Sequence, residues 1–162
     1  MAEQATKVIV IDARPEACFD VAIEFERYPE WAGDIKAVTV EERDALGRGV
    51  LVRFRTAAFG RSTSYALRYS YDEAPTVLSW VEVEGDITSK LDGAYVFAPL
   101  ASSDSSSSGS ASSDGTEVTY HLEAELKVPI PGFVKRRAQS RIMHAALRQL
   151  KDRVEAAASW QP

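Results

Sequence analysis

The feature that most constrains this chain is a change of hydrophobic period. Up to residue 127 apolar and aromatic side chains recur mostly at every second position, in successive runs; after residue 132 they recur at the helical period. Val50, Val52 and Phe54 share one side of their stretch, against Leu51, Arg53 and Arg55. Tyr65, Leu67, Tyr69 and Tyr71 oppose Ala66, Arg68 and Ser70, and Val118, Tyr120, Leu122, Ala124 and Leu126 oppose Thr119, His121, Glu123 and Glu125. Turn signals separate the runs at residues 46–49, Gly60, 72–75 and 84–86. Alternating strands joined by short turns predict an antiparallel meander with one dry and one wet face. Past Pro129-Ile130-Pro131-Gly132, Val134, Ala138, Ile142, Met143, Ala145, Ala146, Leu150 and Val154 fall on one side of a helical wheel. Arg137, Arg141, His144, Arg148 and Lys151 fall on the other. A helix of about 24 residues is about 36 Å long, enough to cross such a sheet. The expected class is α+β: a curved antiparallel sheet of six or seven strands wrapped round one long C-terminal helix.

The beginning of the chain adds a first strand at residues 6–11 and a Pro15-started helix carrying Cys18, Val21, Ala22 and Phe25 on one face. Tyr28-Pro29 is expected to break that helix, with a second short helical turn over residues 30–34. Residues 101–115, ASSDSSSSGSASSDG, hold no large apolar side chain and cannot offset their own ordering entropy by burial. Residues 116–162 are too few to bury a core alone. The serine-rich segment therefore reads as a flexible loop inserted between the last two strands of one 162-residue domain, not as an interdomain linker.

Composition narrows the function classes. With 24 acidic against 19 basic side chains the net charge is −5, the wrong sign for a chain that works by neutralising phosphates; no nucleic-acid partner is expected. One cysteine can form neither an internal disulfide nor a thiolate metal site. No apolar run approaches a membrane span, and MAEQATK has no secretion-signal pattern. A soluble, cytoplasmic setting is expected. The chain lacks a Gly-rich phosphate loop, a nucleophile elbow and a paired-carboxylate motif, and no cofactor or metal is expected. His121 alternates onto a wet strand face and His144 onto the polar side of the last helix, so both read as surface residues. Cys18 reads as a small buried hydrophobe.

The dry faces are rich in phenols: Tyr65, Tyr69, Tyr71, Tyr95 and Tyr120, beside Phe54 and Phe97. A solid core prefers side chains with no hydroxyl to satisfy, because an unpartnered one costs about 1–3 kcal/mol. Facing them, the helix offers Ala138, Ala145 and Ala146, which leave volume unfilled. A hollow is the consequence. Glu82 and Glu84 depend on one orientation. If Trp80 points inward, period two carries both glutamates to the cavity, where burial would raise their pKa; if Val77, Val81 and Val83 point inward, they are solvent carboxylates, and three valines favour this second arrangement.

The order of local motifs resembles the START-like (SRPBCC) superfamily, in its polyketide cyclase/dehydrase and coenzyme Q-binding branches. These motifs are Tyr28-Pro29-Glu30-Trp31, Leu78-Ser79-Trp80 before Gly85, the run Leu91-Asp92-Gly93-Ala94-Tyr95-Val96-Phe97, and the Pro129–Gly132 entry to the last helix. The resemblance implies a helix-grip fold whose cavity, between sheet and terminal helix, holds an apolar or aromatic small molecule. Trp31, Phe54, Tyr65, Tyr69, Trp80, Tyr95, Phe97, Tyr120, Ile142 and Ala146 are the expected ligand-binding residues, with Trp31 and residues 129–133 bordering the mouth. The leading expectation is a non-catalytic binder or carrier of a lipid, a quinone or a polyketide-like aromatic. Cyclase members tend to place an arginine in the cavity, and Arg53, Arg55 and Arg68 all alternate outward here. A polyketide cyclase/dehydrase using tyrosines and Glu82 as proton handlers is the alternative, and a protein-interaction module the second. The basic stretch Lys135-Arg136-Arg137, with Arg141, Arg148 and Lys151, beside Ile130 and Phe133, raises transient contact with an anionic membrane surface.

Overall fold

The backbone obeys the change of period. A computed structural model describes residues 3–58, 61–73, 76–100, 115–127 and 129–159. The chain runs β1 (Glu3–Ile11), α1 (Pro15–Ile23), a 3-10 turn (Phe25–Arg27) and α2 (Tyr28–Trp31). Then come β2 (Ile35–Arg43), β3 (Gly49–Ala58), β4 (Arg61–Glu73), β5 (Thr76–Gly85), β6 (Thr88–Pro99), β7 (Thr116–Leu126) and α3 (Gly132–Ser159). The strands form one seven-stranded antiparallel sheet in the order β1-β7-β6-β5-β4-β3-β2. Every neighbouring pair from β2 to β7 is consecutive in the chain. Only β1 returns from elsewhere, pairing with β7, so α1 and α2 carry the chain from one sheet edge to the other. With the 28-residue α3 laid across the sheet, this is the helix-grip architecture.

The core and α3 divide the space beneath the sheet. Cys18, Ala22 and Phe25 from the first helical segments meet Ile11, Leu78, Phe97 and Val118 from the strands and Met143, Leu147, Leu150 and Val154 from α3, all essentially buried. Each such aliphatic or aromatic side chain contributes about 1.5–3 kcal/mol on leaving water. These α3 residues lie toward the helix's C-terminal half. Toward its N-terminal half Val134 and Ile142 remain 39% and 51% exposed, so the buried stripe differs from the expected one: it includes Gln139 and passes beside Ile142.

Two further expectations need correction. Tyr28-Pro29 starts a helical turn instead of ending one, and the second turn spans Tyr28–Trp31, not residues 30–34. Proline fits there because a first-turn residue has no intrahelical partner for its N–H; the bend from α1 is made by the 3-10 turn. In β5 the tryptophan, not the valines, faces inward: Trp80 is 7% exposed, whereas Val81 and Val83 are half exposed. Sheet pairing fixes this, since Trp80 lies opposite Tyr69 and Gly93 on the dry face. The three valines satisfy strand propensity on the convex face, where β-branched residues are equally at home.

Most of the serine-rich segment, residues 101–114, lies outside the described residues. The ladder beside it is closed, with Pro99 paired to Thr116 and the Leu100 N–H donating to the Gly115 carbonyl at 2.9 Å. Among the described residues no helix is long and apolar enough to cross a membrane.

Candidate functional site: a cavity between the sheet and the terminal helix

Under the sheet and beside the N-terminal half of α3 lies a cavity of about 270 Å³, near the lower end of small-molecule pockets, about 300–1,000 Å³. Alanines make room for it on the helix side: Ala138, Ala145 and Ala146 all line it. On the sheet side, Gly93 does so indirectly. A Cβ at Gly93 would stand 2.5 Å from the His121 carbonyl oxygen and 2.7 Å from the Trp80 indole, so only glycine lets that indole lie across β6.

From Trp80 an aromatic wall extends in both directions. Its ring centroid lies 5.7 Å from Tyr69, 5.3 Å from Tyr95 and 6.0 Å from Tyr120. Phe54 stacks on Tyr65 at 5.3 Å, and Tyr28 bridges Phe54 and Trp31 at 5.9 and 4.8 Å. Such contacts hold rings in fixed attitudes beyond what area burial alone would do. The wall is therefore a faceted surface, its rings tilted 49–54° against the Trp80 indole.

Polar groups are few and defined. Burial pushes the phenols of Tyr28, Tyr65, Tyr69, Tyr95 and Tyr120 above their ordinary value, so they stay protonated and can donate hydrogen bonds. The Tyr28 hydroxyl is committed to the Ala22 carbonyl. Thr56 and Thr63 pair through their hydroxyls at 3.1 Å, and the Gln139 amide donates to the Leu122 carbonyl at 3.1 Å. Among the described lining residues, Asp34 and Lys135 carry charge. The exposed lining residues Asp34, Ala57, Val134 and Ile142 mark the mouth.

Nine of the ten expected binding residues line the cavity: Trp31, Phe54, Tyr65, Tyr69, Trp80, Tyr95, Tyr120, Ile142 and Ala146. Phe97 does not; it packs edge-on against Phe19 at 6.1 Å within the core. Tyr71 also stays outside, its hydroxyl donating to the Gly49 carbonyl at 2.6 Å and its ring covered by the Arg48 guanidinium at 4.3 Å. Ile130 lines the mouth, while Phe133 turns away and is 68% exposed. Sequence reasoning missed Tyr28 and Gln139. Tyr28 sits in the Tyr28–Trp31 motif, from which only Trp31 is expected at the cavity, whereas Gln139 is visible on the wheel, one turn before Met143 on the buried stripe.

The two glutamates part company. Glu82 follows Trp80 to the inner side at the edge of the cavity and accepts a hydrogen bond from the hydroxyl of Thr88, a lining residue. Burial raises its pKa, with the Thr88 hydroxyl acting against that. Between Glu82 and Glu84 the ladder skips a residue, Leu67 pairing with Glu82 and Ala66 with Glu84, and a bulge of this kind reverses the alternation. Glu84 thus points outward, to Arg53 at 2.7 Å. Arg53 and Arg68 meet surface carboxylates and Arg55 is exposed. His121, held by Thr6 at 3.0 Å, and His144 are exposed; Cys18 is buried, and burial pushes its thiol up. No metal-binding cluster occurs among the described residues.

Comparison with known proteins agrees with this geometry. A family model described as "Polyketide cyclase / dehydrase and lipid transport" matches residues 2–155. A START superfamily protein from Mycobacterium smegmatis superposes with a TM-score of 0.82 at 22% identity, over 95% of this chain and 98% of that one. A Thermus thermophilus protein gives 0.74 at 23% identity, over 97% and 100%. The Zhui aromatase/cyclase from a Streptomyces species gives 0.78 at 13% identity, over 96% and 94%. No curated protein matches the chain.

Proposed function

The chain belongs to the polyketide cyclase/dehydrase and lipid transport family of START-like proteins, and from that premise we propose that it binds and carries a hydrophobic small molecule in the cavity beside α3. A lipid, a quinone or a polyketide-like aromatic fits the walls. The observation that carries this reading is the aromatic wall around Trp80 facing alanines across an unfilled space. Capture is driven by apolar burial at roughly 25 cal/mol per Å², and protonated phenols orient an acceptor oxygen of the guest. Trp31, Phe54, Tyr65, Tyr69, Tyr95, Tyr120, Ile142 and Ala146 supply the remaining contacts.

Native mass spectrometry of the purified protein tests this directly. An apolar adduct that disappears on organic extraction, and whose return quenches tryptophan fluorescence, is expected. A protein that is always empty and unquenched by lipids, quinones and aromatic polyketides would sink the reading. Ala146→Leu should lower guest affinity about tenfold or more while stabilising the empty protein by about 1 kcal/mol through cavity filling.

A second reading, a cyclase or dehydrase, draws on Glu82, whose raised pKa and position beside Thr88 suit a proton handler at the cavity edge. Glu82→Gln should then abolish turnover of a cyclisable polyketone in a folded protein; undiminished turnover removes Glu82 from the chemistry.

A further inference from the structure

Charge is distributed unevenly along this acidic chain. From residue 127 to residue 151 there are seven lysines and arginines and no aspartate or glutamate, on a protein whose net charge is −5. Nearly all of that stretch is α3. Arg137, Arg141, His144 and Arg148 occupy one exposed stripe of the helix, and Phe133, at 68% exposed, lies on the same side one turn before Arg137. Beside that stripe Val134 is exposed as well and forms part of the cavity mouth. A large aromatic, one aliphatic and several cations therefore share one helical surface at the opening of an apolar hollow.

We infer that this surface docks on an anionic lipid bilayer. Phe133 and Val134 enter the headgroup and acyl boundary, and Arg137 and Arg141 meet lipid phosphates. An amphipathic helix with cations flanking an apolar strip lies in that interface by this division of labour. A dissolved polyanion fits less well: it offers nothing apolar to Phe133 and is repelled by the rest of the chain. Docking places the cavity mouth against the membrane, where an apolar guest can pass without crossing water. The inference takes only this purpose from the ligand-binding reading. Vesicle binding measured without guest tests the surface alone, so failure of either idea is separately visible.

The test is co-sedimentation of the full chain with vesicles of phosphatidylcholine containing about 30% phosphatidylserine, beside pure phosphatidylcholine. Binding to the anionic vesicles only is expected, fading between about 0.1 and about 0.5 M salt as screening grows. Since each basic residue near the surface is worth about a fivefold change, Arg137→Glu with Arg141→Glu should weaken binding by at least about 25-fold. Phe133→Ser should weaken it about tenfold at constant charge. None of these three side chains lines the cavity, and circular dichroism and guest binding should be unchanged. The proposal is overturned by absence of anionic-vesicle binding at low salt, or by variants that bind as the parent does. It is equally overturned if heparin or duplex DNA binds as tightly as vesicles and Phe133→Ser has no effect, or if the patch proves to pair two copies of the chain by sedimentation velocity.

Discussion

At Gly93 the missing side chain decides where Trp80 goes, and Trp80 in turn organises the wall of the hollow. The obstacle is backbone, the His121 carbonyl at 2.5 Å from a built Cβ, so it cannot rotate out of the way. Gly93→Ala should cost about 2–4 kcal/mol, read as a lowered Tm, and should red-shift or broaden the Trp80 emission as the buried indole is displaced. The phenols lend themselves to a second residue-level measurement. Folded pKa values raised by burial mean that stability is fully present below the unfolded tyrosine value of about 10 and is lost as pH rises above it. Absorbance at 295 nm should therefore show a set of tyrosines that ionise only together with alkaline unfolding. A smooth titration of all of them near pH 10 in folded protein would place their hydroxyls in water.

The elements differ in how they are tied down, and α3 shows it best. Near its C-terminal end Glu155 accepts from the Lys151 ammonium at 2.6 Å and from the Asp12 N–H at 2.8 Å, locking the helix to the end of β1. The Lys151 hydrogen bond foremost, then the Asp12 N–H, hold its carboxyl below the usual range. A depressed folded pKa stabilises above the unfolded value and is lost as pH falls through the folded one. Glu155→Gln should consequently flatten the fall of Tm between about pH 5 and about pH 3, and an unchanged acid limb would deny the lock. Gln139, in the third turn of the helix, plays the corresponding part beside the cavity. Removing its amide takes one hydrogen bond from the Leu122 carbonyl, and Gln139→Ala should cost about 0.5–1.5 kcal/mol in a denaturant melt. The helix is thus fixed over its middle and C-terminal part by core packing and ions and toward its N-terminal end by the Gln139 amide, while Phe133 and Val134 in its first turn stay exposed.

For the molecule as a whole, the β6–β7 ladder closes at Leu100 and Gly115, and neither residue lines the cavity. Replacing residues 101–114 by a two-residue turn should change stability by less than about 1 kcal/mol and leave guest binding intact. A large loss of either, in thermal melts or fluorescence quenching, would give that segment a structural part. By itself the sequence determined the antiparallel meander, the dry faces of β3, β4 and β7, the terminal helix and most of the cavity lining, because side-chain period reports which face of an element avoids water; the choice between six and seven strands fell to the structure. The sequence could not determine the face of β5 or the divergence of Glu82 from Glu84. Valines suit either side of a strand, and a bulge is a property of two paired strands. Nor could period two separate Phe97 from Tyr95: both avoid water, and only the placement of Phe19 from α1 decides which one is covered by protein and which borders open space.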